Sequence, residues 1–300
     1  MKTISLNGAD GSGFKPPCFA QLKMHKEKFY VRDGLPHPIG TFNHSWSEVI
    51  SAFDLCFRGM EAVRKEVSSP NVASANFASD RRGALMEATR SLYYRATEFI
   101  ENIDDCISKS LSADPKRPVK VSGASALRKR VSVPCNKLKH NHNRIQYVEA
   151  AAVAFAVSGF AIYQVRGNAV EPNPEIHKKR QAFSFNIELR RIFVSLYLYA
   201  SEVGQNISRL CGDMDGGNVT EAPDARTVEI INRLAALPPF CFPNESSQLM
   251  PLISFDGHTL DMSDEGGLAF PAPPGSRIMS AYVGDGYTTT FTVPFGYSAS

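Results

Sequence analysis

Residues 144–167 read RIQYVEAAAVAFAVSGFAIYQVRG. Aromatic and β-branched residues stand on both sides of Ser158-Gly159, a pattern that suits a buried β-hairpin, although the alanines would also suit a helix. The apolar core of this stretch, Ala150 to Tyr163, lies between Glu149 and Gln164. It falls short of the ~20 residues that a membrane-spanning helix needs. The expectation is therefore a hairpin near 145–167 inserted into whatever surrounds it, with no membrane partner.

What surrounds it reads as helix. Trp46, Val49, Ile50, Phe53, Phe57, Met60, Val63 and Val67 recur at three- and four-residue steps, predicting a helix over 45–67 with Ser45 and Glu48 as a capping box. A longer helix is expected over 80–111, with Leu85, Leu92, Tyr93, Phe99, Ile100, Ile103 and Ile107 on its core side. A third, kinked by Pro134, is expected over 124–141. After a loop at 168–179, strong periodicity predicts a helix from 184 or 186 to 210, and a short one follows over 224–237.

The rest is different in kind. Residues 1–43 are punctuated by Gly and Pro, with one strand-like stretch at 27–34, and read as an irregular N-terminal cover. The segment 240–300 carries short alternating runs, LISF, RIMSAYV and YTTTFTV, the last two flanking Gly284-Asp285-Gly286 as a hairpin would. The fold class expected is mainly α: a helical bundle over 44–239 with an inserted hairpin, and a small β-rich C-terminal appendage over 240–300.

Net charge is only +3, from 33 Lys+Arg against 30 Asp+Glu, and so argues for no particular partner. Its distribution is more telling. Between Asp114 and Glu149 there is no acid, while Lys116, Arg117, Lys120, Arg128, Lys129, Arg130, Lys137, Lys139 and Arg144 all fall inside. Such a strip attracts phosphate by Coulomb attraction and counterion release. The bland alternative is a solvated helix face balanced by Glu98, Glu101, Asp104 and Asp105. Within the strip, Asn136 and His140 are four apart and share a helical face, so the amide can orient the imidazole for proton transfer. His142 lies on another side. The six cysteines are scattered without zinc spacing and read as reduced thiols of a cytoplasmic protein. No P-loop, GxSxG elbow or EF-hand spacing is present, and no metal or cofactor is expected.

An N-x-x-x-H pattern late in a basic helix, preceded by long amphipathic helices, resembles the HEPN superfamily of helical nucleotide-binding proteins, many of them ribonucleases of prokaryotic defence and toxin systems. The resemblance implies a metal-independent cleavage in which the Arg and His of an R-x-x-x-x-H pattern, from two protomers, promote attack of an RNA 2′-hydroxyl on the adjacent phosphate. Carried onto this chain, Asn136 and His140 match the Asn and His, His140 as general acid/base. The Arg position is Cys135, which cannot supply a permanent bidentate charge. Arg128, Arg130, Lys137, Lys139 and Arg144 would contact nucleic acid. The expectation is an RNA- or phosphate-ligand-binding protein, working as a homo-oligomer or with a partner subunit. The alternative is a non-catalytic interaction or structural subunit.

Overall fold

The computed structural model of the chain describes residues 1–8, 12–30, 34, 36–67, 80–114, 116–121, 125–140, 143–152, 155–166, 169–178, 182–212, 221–245, 249–272, 277–284 and 287–291. Seven α-helices lie within them: α1 (Cys18–Met24), α2 (Pro38–Val67), α3 (Asp80–Ser110), α4 (Ser125–His140), α5 (Pro174–His177), α6 (Phe185–Cys211) and α7 (Ala225–Ala235). Eleven strands accompany them: β1 (Thr3–Asn7), β2 (Arg144–Ala152), β3 (Phe155–Arg166), β4 (Ala169–Pro172), β5 (Phe183–Ser184), β6 (Phe240–Cys241), β7 (Met250–Phe255), β8 (Thr259–Gly267), β9 (Phe270–Pro271), β10 (Arg277–Gly284) and β11 (Tyr287–Phe291).

This overturns the expectation of a mainly helical bundle. The architecture is mixed α/β, because segments far apart in sequence complete one another's sheets. The N-terminal β1 pairs antiparallel with β8, Thr3 opposite Ser263, in a three-stranded sheet ordered β1-β8-β7. The 144–167 stretch does pair as β2 and β3, but as the middle of a six-stranded sheet ordered β11-β10-β2-β3-β4, with β5 joined to β3. The C-terminal β10 adds to β2, Ala281 opposite Tyr147, rather than forming an appendage of its own. A short parallel pair, β6 with β9, makes the third sheet.

Local readings also move. Ala152 lies opposite Phe155, so the hairpin reverses there and Ser158-Gly159 sits inside β3. Gly159 is needed for a different reason: a Cβ at this position would lie 2.0 Å from the carbonyl oxygen of Phe183 on β5. A glycine in a strand here marks close backbone approach, not a turn. Helix α2 begins at Pro38, where proline's fixed φ suits a first turn. Ser45 is thus not a cap; it is buried and accepts from Asn102 Nδ2 at 3.0 Å. The strand expected at 27–34 is replaced, where the structure describes it, by a 3-10 turn over Lys26–Lys28. The turn residues Asp285 and Gly286 of the expected C-terminal hairpin lie outside the described residues.

Helix α6 organises the core. Eighteen of its 27 residues are buried, and over its first four turns burial runs nearly all round, so it is a central helix rather than an amphipathic surface one. Trp46 of α2 meets Phe99 of α3 and Phe193 and Tyr197 of α6 in a ring cluster with centroids 5.3 to 6.0 Å apart. On the sheet side, Phe160 of β3 contacts Tyr93, Phe183 and Phe185. Between α3 and α6, buried polar groups meet: Tyr93 donates to Glu188 at 2.9 Å and Arg191 Nη1 to the same carboxylate at 2.5 Å. No helix of the described residues is long and apolar enough to cross a membrane.

Candidate functional site

The acid-free strip divides once it is folded. Arg128 bridges Glu101 and Asp104 on α3, at 3.8 and 3.4 Å, as the balanced-face alternative expected. Arg130 lies 3.6 Å from Asp264 on β8, and Lys137 pairs with Glu175 on α5 at 2.6 Å. These half-exposed pairs leave three of the five expected nucleic-acid contacts already engaged. Lys139 stands over the ring of Tyr94 on α3, 5.0 Å from its centroid. Lys116, Arg117, Lys120 and Lys129 are exposed.

Asn136 and His140 do face solvent near the end of α4, but no hydrogen bond joins them among the described residues. Cys135 points the other way and is fully buried; burial pushes its thiol up, opposed by Thr97 and by the charge of Lys139. The residue in the position of the family's arginine is therefore not on the surface beside His140. His142 lies outside the described residues. The end of α4 is held by Asn143, whose Nδ2 donates to the Lys137 carbonyl at 3.0 Å and whose Oδ1 accepts from Asn173 at 2.9 Å. Asn173 itself caps α5, accepting from the amides of Glu175 and Ile176.

Arg144, the first residue of β2, has a different setting. Where β2 packs against α3, it lines a cleft of about 240 Å³ together with Arg82, Glu87 and Arg90, over a floor of Met86, Ile145 and Tyr147. Arg82 is 6% exposed, with its guanidinium carbon 5.3 Å above the Tyr147 ring. Arg90 pairs with Glu87 at 3.0 Å through one terminal nitrogen, while its Nε is buried with no hydrogen-bond partner among the described residues. Beneath the ring, the Tyr147 hydroxyl donates to the buried Glu149 at 2.8 Å. Burial, followed by the charge of Glu149 and this hydrogen bond, raises the Tyr147 phenol well above its usual value, against the lowering influence of Arg82.

Three guanidiniums and one carboxylate thus line one cleft, and planar guanidinium forks are the groups that bind two oxygens of a phosphate or carboxylate at once. Reading the strip alone misses Arg82 and Arg90, which belong to α3. The available signal was their own spacing: residues 82 and 90 are eight apart, two turns along one face, and Tyr94 follows four later. Lys139, resting on Tyr94, thus stands one turn beyond Arg90 on that face.

A second cavity, of about 350 Å³, is lined by Lys15, Asn43, Trp46, Glu221, Asp224 and Arg226 among others. It is the larger, but its polar groups already satisfy one another. Lys15 bonds Asn43 and Glu221 at 3.0 and 2.7 Å, and Trp46 Nε1 donates to Thr227, which donates to Asp224. Arg226 donates to Ser47 and Ser51. Among the described residues no group of His, Cys, Asp or Glu side chains is placed to hold a metal ion. The acid-rich turn near Asp256 closes the β7–β8 hairpin, its carboxylate accepting from the amides of His258 and Thr259. Compared with known proteins, the chain matches no family model, no curated protein and no solved structure.

Proposed function

We propose that this chain binds a phosphate-bearing ligand, RNA in the first instance, in the cleft between α3 and β2. The observation that carries the reading is the convergence of Arg82, Arg90 and Arg144, with Glu87, on one small cleft. Lys139, stacked over Tyr94 one turn along α3 from Arg90, adds a further cation near the cleft. Six unpaired thiols fit a reducing compartment, the cytoplasm.

Binding is favoured over cleavage because Cys135 is buried, so a HEPN-type pair of Arg and His is not assembled at Asn136 and His140. The experiment that separates the two uses labelled single-stranded RNA in EDTA, at two salt concentrations, with wild type, Arg144→Gln and His140→Ala. Salt-sensitive binding lost in Arg144→Gln, without cleavage, is the expected result. Cleavage abolished by His140→Ala would replace this reading with a metal-independent ribonuclease. Binding unchanged in Arg144→Gln would remove the cleft from the account.

A further inference from the structure

We infer that the outer face where β7, β8 and β9 meet docks a second copy of this chain, making a two-fold homodimer through Leu249, Leu252, Leu268 and Phe270; the inference is independent of the phosphate-binding reading. Large apolar side chains exposed singly are ordinary, but these four stand together. Of the eight that are exposed among the described residues, four fall within 249–270, at 54, 44, 72 and 53%.

The strands bring them onto one surface. Met250 stands opposite Gly267, which sets Leu249 alongside Leu268. Ala269 packs inward on the cluster of Ile187, Cys241 and Met250, so Leu268 and Phe270, on either side of it in an extended chain, face outward together. Leu252 reaches the same surface: its Cβ lies 3.7 Å from where a Cβ on Gly266 would stand. Gly266 and Gly267 put no side chain between the leucines, and a Cβ on Gly267 would meet the Met250 Cε at 2.8 Å, because that side chain passes beneath. The outcome is a flat apolar face over a packed floor, and neither of the two cavities described above draws on it.

Its size and flatness point to the occupant. Leucines and a phenylalanine exposed to these extents present about 400 Å² of apolar surface. A standard interface buries about 800 Å² on each partner, a little over half of it apolar, so this face is the apolar core of one such interface. A small ligand or a lone peptide helix needs a concavity, which a flat face does not offer. A two-fold contact needs only a patch that tolerates its own image, and homodimer interfaces are the more apolar kind. The residues between the exposed side chains on β8 and β9, Gly266, Gly267 and Ala269, carry no charge. At the edge, Asp264 is already met by Arg130 at 3.6 Å and by the Lys2 amide at 2.7 Å, which leaves Glu265 and, farther along β8, Asp261 as the exposed acids. What holds two copies together is therefore apolar contact, not ion pairing.

Sedimentation velocity of the full chain from about 1 to 100 μM tests this. Wild type is expected to approach twice its 32.9 kDa mass as concentration rises, and to stay dimeric at about 0.5 M salt, where exposed charges are screened. Leu268→Ser and Leu252→Ser should each raise the dimer dissociation constant at least about tenfold, because a two-fold contact loses each leucine twice. Leu55→Ser and Leu210→Ser, at exposed leucines outside the face, should leave it unchanged. Circular dichroism checks that the variants fold, and two substitutions in the face leave one to decide if the other misfolds. A wild type that is monomeric throughout would overturn the inference; if it bound phosphatidylcholine vesicles and lost them in Leu268→Ser and Leu252→Ser, the face would belong to a lipid surface instead. A dimer indifferent to both substitutions, or one that salt dissolves, would place the contact elsewhere. Species that grow past the dimer with concentration would replace the two-fold contact with an open one.

Discussion

The guanidinium of Arg82 lies 5.3 Å over the ring of Tyr147, joining the first turn of α3 to the middle of the sheet. The same tyrosine donates its hydroxyl to Glu149, so one side chain supports a charge above and satisfies another below. Tyr147→Phe keeps the ring and removes the donor. The buried carboxylate then lacks that hydrogen bond, and stability should fall by about 1–3 kcal/mol, read as a lower urea midpoint at unchanged slope. RNA affinity should fall much more in Tyr147→Leu, which removes the ring under Arg82, than in Tyr147→Phe.

Arg190 of α6 closes the C-terminal end of α7. Its Nε donates to the Leu234 carbonyl at 3.1 Å, and Nη2 to those of Ala235 and Leu237 at 3.2 and 2.5 Å, carbonyls at and just beyond the helix end, where intrahelical donors run out. Positive charge also belongs at that end of the helix dipole. Arg190→Met should cost about 2–4 kcal/mol by exposing or orphaning these carbonyls, and thermal unfolding monitored at 222 nm checks it.

Gly159→Ala tests the placement of β5 on β3. The new Cβ would meet the Phe183 carbonyl oxygen at 2.0 Å and the Phe242 ring at 2.6 Å, both backed by the core. No flexible side chain can yield, so the loss should exceed about 3 kcal/mol or prevent folding. A variant of near wild-type stability would show that β5 does not lie there.

Acid should act on Glu221 in a definite direction. Burial pushes its carboxyl up, but the hydrogen bonds and charges of Lys15 and Lys23 outweigh this and hold it below the usual value. A carboxylate depressed in the folded state stabilises above its unfolded value, about 4.3, and that stability is lost as pH falls through the folded value. Glu245 has the opposite sign: burial raises it despite donors from Ser184 and Phe242 and the charge of Arg191, so its contribution is lost as pH rises. Glu221→Gln should therefore be less stable than wild type at pH 7, with the gap closing as pH falls below about 4. An unchanged gap across that range would contradict the assignment.

The helices were legible because each carries its own period: α3 was expected over 80–111 and is found over Asp80–Ser110. The fold class was not, because the sheets are closed by partners that no local pattern names. Thr3 finds Ser263, and Arg277 finds Ala151. Gly159 looked like a turn because a glycine between apolar runs usually is one; only the passage of Phe183 beside it explains its presence. At the candidate site, Arg144 was visible inside the strip, and its partners Arg82 and Arg90 were not, since they come from a helix more than fifty residues earlier. The strip's other members read correctly as charge and misleadingly as free charge: Arg128, Arg130 and Lys137 are met by acids on three other elements.

The central claim is that phosphate binds where Arg82, Arg90 and Arg144 converge. The most direct measurement is the affinity of single-stranded RNA for wild type and for the Arg90→Gln, Arg144→Gln double variant, at about 50 and 200 mM salt. The account predicts binding that weakens with salt in wild type and falls by at least about a hundredfold in the variant, two charge-assisted contacts' worth, with a shallower salt dependence. Equal affinity and equal salt dependence in the two proteins would contradict it.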